Sequence, residues 1–129
     1  MKIRLQQLDV PTKRGNIWPS SMVRETFAKK NNQTMYGTFN TTDFLQISNI
    51  KNMACLINDV AIEDGYLVAE CTVLKTPTGD IFQGLLDAGI DIDYGIYGRG
   101  FRVDGANING ARTIVNFEPL GVVIHPGAK

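Results

Sequence analysis

Two apolar, strand-forming runs, Ala54 to Ile62 and Tyr66 to Leu74, stand either side of Glu63-Asp64-Gly65. A Gly-containing turn between two such runs specifies a β-hairpin, because glycine reaches the positive φ values that a tight hairpin turn demands. A hairpin cannot stand alone in water, so the rest of the chain must supply further strands or helices to cover its apolar face.

The remaining sequence offers both. Lys2 to Val10 alternates loosely through Ile3, Leu5, Leu8 and Val10 and reads as an opening strand, and Pro11 to Asn16 reads as a turn. Pro19, Ser20 and Ser21 suit a helix entrance for Met22 to Lys30, where Val23 and Phe27 share one face and Glu25 and Lys29 pair on another. Thr34 to Phe39 is β-branched and aromatic, hence a strand, and a short strand is expected around Leu45 to Ile47. After a loop at Thr76 to Asp80, Ile81 to Ala88 reads as a short helix with Gly89 as its stop. Ile90 to Val103 is strand-like but rich in glycine. Two last strands, Thr113 to Phe117 and Leu120 to Ile124, are separated by Glu118-Pro119. The expected fold class is α+β: a mostly antiparallel sheet of six to seven strands, or a small β-barrel, with two short helices in a single domain over residues 1–129.

Composition excludes several functions. Thirteen basic residues balance thirteen acidic ones, so no electrostatic footprint for nucleic acid or an anionic membrane is expected. No run approaches the roughly 18 apolar residues of a membrane span, and the start lacks the apolar stretch of a secretory signal. Two cysteines, Cys55 and Cys71, are too few for a disulfide framework and read as buried, reduced thiols.

Chemistry-bearing patterns are sparse. His125 is the only histidine, so any Ser-His or Cys-His dyad would have to use it. One histidine and two separated cysteines lack metal-ligand spacing, and neither a metal nor a cofactor is expected. Asp91 and Asp93 share a strand face, which reads more simply as a solvated face than as an acid/base or cation pair. Gly95-Ile96-Tyr97-Gly98-Arg99-Gly100 has the glycines of a phosphate loop without the helix that would follow one. Glycines within a strand signal instead a bulge or the close approach of another group.

That segment is one of five that, in order, resemble the prohead maturation proteases of tailed bacteriophages, a family related in fold to herpesvirus assembly proteases. Gly15-Asn16-Ile17-Trp18-Pro19 resembles the family's Gly-Arg-Ile-Tyr-Pro, and Tyr36-Gly37-Thr38-Phe39-Asn40-Thr41 falls where it has Gly-Glu-Leu-x-His-Pro. Leu74-Lys75-Thr76-Pro77-Thr78-Gly79 is similar to its Leu-x-Thr-Pro-x-Gly, and Gly95 to Gly100 lies at its Gly-Ile/Val-Ser-x-Arg-Gly. Leu120 to Pro126 is similar to its closing hydrophobic segment.

The resemblance implies a prohead-protease-like fold and places the nucleophilic serine on Tyr97 and the catalytic histidine on or beside Thr41. A phenol ionising near 10 without an adjacent base is a poor nucleophile, so both positions are expected to be vestigial and the chain a pseudo-protease. The expected function is a non-enzymatic phage virion or capsid-assembly protein, either decorating or cementing the capsid or acting inside the prohead. Its partners would be capsid or other virion proteins, with homo-oligomer or lattice contacts, and its location the virion or host cytoplasm. Trp18, Tyr36, Phe39, Phe44, Tyr94, Tyr97 and Phe101 are candidate aromatic anchors, and Tyr97, Gly98, Arg99, Gly100, Trp18 and Phe39 the candidate binding residues. A second class is a ligand- or peptide-binding module in the vacated groove, sequestering for example a host factor or nucleotide, with Arg99 meeting an anion and Tyr97 stacking. A divergent hydrolase would need Ser48, Cys55 or Cys71 beside His125.

Overall fold

The computed structural model describes residues 1–29, 34–39, 50–106 and 110–127. Along the chain these form β1 (Lys2–Gln7), β2 (Asn16–Ile17), α1 (Ser20–Lys29), β3 (Met35–Phe39), a 3-10 turn (Ile50–Asn52), β4 (Cys55–Glu63), β5 (Tyr66–Val73), α2 (Pro77–Asp87), β6 (Ile92–Ala106) and β7 (Arg112–Pro126). Thr41, Phe44, Ser48 and the short strand expected at Leu45 to Ile47 lie outside the described residues.

The hairpin forms where the sequence places it. Glu63 pairs with Tyr66, and Asp64 and Gly65 both take positive φ, 51° and 80°, in a two-residue connection. β1 adds to β5 antiparallel, β3 adds to β4 antiparallel, and β6 pairs with β7 antiparallel. The sheet as a whole is nevertheless mixed rather than mostly antiparallel, because β2 and β3 both run parallel to β7. No tight turn joins these partners, so nothing local imposes an antiparallel direction on them. The seven strands follow the order β1-β5-β4-β3-β7, with β6 along β7 and β2 beside the start of β7. The sheet curls into a half-barrel in which β1 and β6 approach each other without pairing among the described residues.

Register fixes which side chains enter the curl. Gly37, Cys55, Val122 and Ile96 stand abreast across β3, β4, β7 and β6, and so share one face. That inner face carries the core, with Ile3, Ile57, Cys71, Ala69, Val122 and Ile124 all buried. The two helices cover it at separate ends. Val23 of α1 is fully buried near Met35 and Leu67, while Phe82 of α2 is fully buried edge-on to Phe39 and Tyr94, at 6.2 and 6.3 Å between centroids. Burying a side chain such as Phe82 contributes roughly 2–3 kcal/mol.

Packing is tight at Gly37, where a Cβ would collide with the Cys55 sulfur. The hydrogen bond to Cys71, then burial, pushes the Cys55 thiol up, so it stays protonated at neutral pH. Both cysteines are free and buried, as expected. They stand diagonally across β4 and β5, Cys71 opposite Ile57 and Cys55 opposite Val73. Such diagonals are wider than a disulfide spans without backbone movement.

Two elements differ from the sequence reading. Arg112–Pro126 is one strand and not two, since Pro119 sits at a register shift opposite Gly98, where its missing N–H does no harm. α2 begins at Pro77, so the expected loop is its first turn. Thr76 is its N-cap, accepting from the Gly79 N–H at 2.8 Å, and Pro77 occupies the position where a proline costs nothing. Three threonines then fasten this end of the fold. Thr78, Thr38 and Thr76 donate to the successive carbonyls of Lys51, Asn52 and Met53. Replacing Thr76 by valine removes both the cap and one of these donors, and should lower stability by about 1–2 kcal/mol in urea denaturation while leaving the circular dichroism spectrum intact.

Candidate functional site

The glycine-rich stretch singled out by sequence lies in the middle of β6, and pairing with β7 sorts its residues onto two faces. Tyr94 and Ile96 stand level with Ile124 and Val122 and therefore point inward. Asp93, Gly95 and Tyr97 stand level with His125, Val123 and Gly121 on the outer face, and Arg99 follows beside Glu118.

Each glycine has its own structural cause. A Cβ on Gly98 would lie 2.7 Å from the Glu118 carbonyl oxygen and 3.1 Å from the Phe117 ring. Gly98 thus makes room for an inner aromatic cluster. Phe117 stacks on Phe101 at 5.2 Å and meets Trp18 edge-on at 5.1 Å, and Trp18 also meets Phe101 at 5.9 Å. Gly100 has φ of 65°, a conformation that other residues seldom adopt. Gly95 meets no such demand, since its Cβ would approach the His125 ring only to 3.7 Å, an ordinary contact.

The candidate residues do not converge on one site. Trp18, expected as an exposed aromatic, is only 8% exposed and belongs to the core, because the cluster over Gly98 encloses it. Phe39 is partly buried on the inner face against Phe82. Tyr97 and Arg99 share the outer face, half-buried and exposed respectively. Arg99 is already engaged as a two-pronged pair with Glu118, Nε to Oε2 at 3.0 Å and Nη2 to Oε1 at 3.3 Å. This hydrogen bonding, with the carboxylate charge, raises its pKa. An incoming anion would have to displace Glu118.

His125 is half-buried opposite Asp93 but forms no ion pair with it within 4 Å among the described residues. Cys55 and Cys71 face inward and His125 outward, so neither thiol can form a dyad with the only imidazole. Among the described residues no cluster of His, Cys, Asp and Glu is fit to hold a metal ion. No described helix is long and apolar enough to cross a membrane.

Sequence reasoning missed a cavity of about 470 Å³ between α1 and the β4–β5 hairpin, lined by Val23, Arg24, Phe27, Met35, Leu67 and the Asn58 to Ile62 segment. Its wall is a bulge. The β4–β5 register shifts between Asn58 and Ala61, and Asp59 takes φ of 52°. The only sequence signal for it is Asn58-Asp59 inside an apolar run, since these residue types tolerate positive φ better than most.

No family model and no curated protein matches the sequence. The solved structures do contain a likeness, the bacteriophage T4 capsid assembly protease gp21, with a TM-score of 0.73 over 96% of this chain and 79% of that one. The fold resembles a capsid assembly protease. At 16% identity the likeness is one of fold, and it supports the prohead-protease-like architecture that the sequence motifs implied.

Within this fold the inward residues at the centre of β6 are structural. Burial first, then the neighbouring Cys71 and Cys55, push the Tyr94 phenol up to about 12. The folded chain therefore holds this proton more tightly than the unfolded chain, where tyrosine ionises near 10. The resulting stabilisation is complete below pH 10 and is lost as pH rises towards 12. A spectrophotometric titration should show a tyrosine ionising at about pH 12, and Tyr94→Phe should abolish that phase.

Proposed function

We propose that this chain is a non-enzymatic phage virion or capsid-assembly protein built on a prohead-protease-like fold, acting as a capsid decoration or cement or as an internal component of the prohead. The observation that carries the reading is the fold likeness to a phage capsid assembly protease, which spans nearly the whole chain. The chemistry of β6 supports its non-enzymatic half. By the family resemblance the nucleophile position is Tyr97, and among the described residues the thiols of Cys55 and Cys71 stand on the opposite face of the sheet from His125. Arg99, which lies where the family motif carries its arginine, holds Glu118.

The test is co-sedimentation of the purified chain with empty or expanded capsids of its source particle, together with incubation with serine- and cysteine-directed acylating inhibitors. Saturable binding without covalent labelling is the expected result. Stoichiometric labelling at one residue would revive a hydrolase, and a chain that ignores capsids would sink the assembly role.

A second reading, as a ligand- or peptide-binding module, is favoured by the cavity beside α1, whose volume suits a small molecule and whose lining combines apolar side chains with Arg24, Asn58 and Asp59. In that case binding would centre on α1 and the β4 bulge and not on Tyr97. Val23→Trp, which fills the cavity, would abolish it, as read by calorimetry with any compound that raises the melting temperature.

A further inference from the structure

α2 has two apolar sides. Gly79, Phe82 and Leu86 face the core. Ile81, Gly84, Leu85 and Ala88 follow at the spacing i, i+3, i+4, i+7 and form a second stripe on the outward side. Ile81 is 61% exposed, and Ile90, just past the helix, is 42% exposed. A single exposed isoleucine is unremarkable, but a helical stripe of this kind marks a face that another surface can cover. The ionisable residues from Pro77 to Asp93 are all acidic, and Asp80, Asp87, Asp91 and Asp93 are exposed, with Lys51 and Lys75 the exposed bases beside the start of the helix.

The far end of β6 has the opposite character. Val10, Phe101, Val103 and Val115 are 39–44% exposed there. Lys13, Arg14, Arg102 and Arg112 are exposed among them. The backbone draws these segments together. The Arg112 N–H donates to the Gly15 carbonyl at 2.8 Å, and the Asp9 N–H donates to the carbonyl of Trp18, whose ring meets Phe101. Five bases here, Lys13, Arg14, Arg99, Arg102 and Arg112, outnumber the three acids Asp9, Asp104 and Glu118, of which Glu118 pairs with Arg99. A formal net charge of zero therefore conceals an excess of acid near one end of β6 and of base near the other, each beside exposed apolar side chains.

We propose that the acidic, apolar face of α2 docks on the basic, apolar end of the β6–β7 ribbon of a second copy, so that copies associate head to tail. Charge complementarity selects this occupant. Pairing α2 faces with one another would set Asp80 and Asp87 of one copy against the same residues of the other, and pairing the basic ends would do likewise with Arg14 and Arg112. A contact between different patches leaves one of each kind free on every dimer, so it continues into a ring or an open array. This deepens the assembly reading, on which it rests for its biological setting, but its evidence is the distribution of side chains on this chain alone.

Sedimentation velocity without capsids tests it. The chain should form larger species as concentration rises, and salt at about 0.5 M should weaken them. The double variant Asp80→Lys with Asp87→Lys and the double variant Arg14→Glu with Arg112→Glu should each associate about tenfold more weakly than the parent. An equimolar mixture of the two should associate again, because each reversed patch then meets an opposite partner. Recovery on mixing cannot come from misfolded chains, which guards against variants that simply fail to fold. A monomer at all concentrations, association indifferent to both reversals, or no recovery on mixing would overturn the head-to-tail contact. Capsid co-sedimentation by such a monomer would still uphold the assembly role, so the two ideas fail separately.

Discussion

The fold depends on the double pairing of β7. One edge of this long strand is taken by β6 along its length, and the other is shared by two strands from the N-terminal part of the chain, β2 at its start and β3 near its end. A buried strand must satisfy the N–H and C=O groups on both edges. β7 therefore joins the β1-β5-β4-β3 layer to the β6 ribbon. The inward positions Val122 and Ile124, fully buried, lie at that junction, against Gly37 and Cys55. Gly37 allows β3, β4 and β7 to close up around the cysteine sulfur, and a side chain there would have to displace that sulfur.

Both ends of the curl follow from this junction. α2 lays Phe82 on Phe39 and Tyr94, which flank Ile124, and is held by threonine hydroxyls on the carbonyls of residues 51–53. At the other end Trp18, Phe27, Phe101 and Phe117 form an aromatic cluster that sits over Gly98. The glycines that suggest a ligand loop are thus partly accounted for by packing. Gly98 gives space to Phe117, and Gly100 takes a backbone conformation that suits glycine. What remains at the surface of β6 is a strip of Asp93, Tyr97 and the Arg99–Glu118 pair.

Some features were legible because their causes are local. The β4–β5 hairpin follows from a two-residue turn that needs positive φ twice, and Asp64-Gly65 provides it. α1 and its pairing of Glu25 with Lys29, 3.6 Å apart, follow from helical spacing. The start of α2 was equally local but was hidden by composition: Thr76-Pro77-Thr78-Gly79 has the residues of a loop, and only the cap and first-turn roles of Thr76 and Pro77 make it a helix. Gly79 reinforces that start, since any side chain would strike the Leu74 carbonyl.

Other features were decided by contacts distant in sequence. β7 continues through Pro119 because a register shift opposite Gly98 spares the proline a hydrogen bond, and no window around residue 119 contains that information. Trp18 and Phe101 look alike as sequence, yet one is 8% and the other 42% exposed, although Phe117 of β7 contacts both rings. By itself the sequence determined the hairpin, helices α1 and α2, the buried free thiols and a pattern of motifs consistent with the prohead-protease-like fold. Tertiary structure alone decided the parallel pairing of β2 and β3 with β7, the face on which each candidate residue lies, and the separation of His125 from the thiols. The physical reason is that turns, caps and periodicity act within a few residues, whereas strand direction and facing are set by which edge a distant segment finds unpaired.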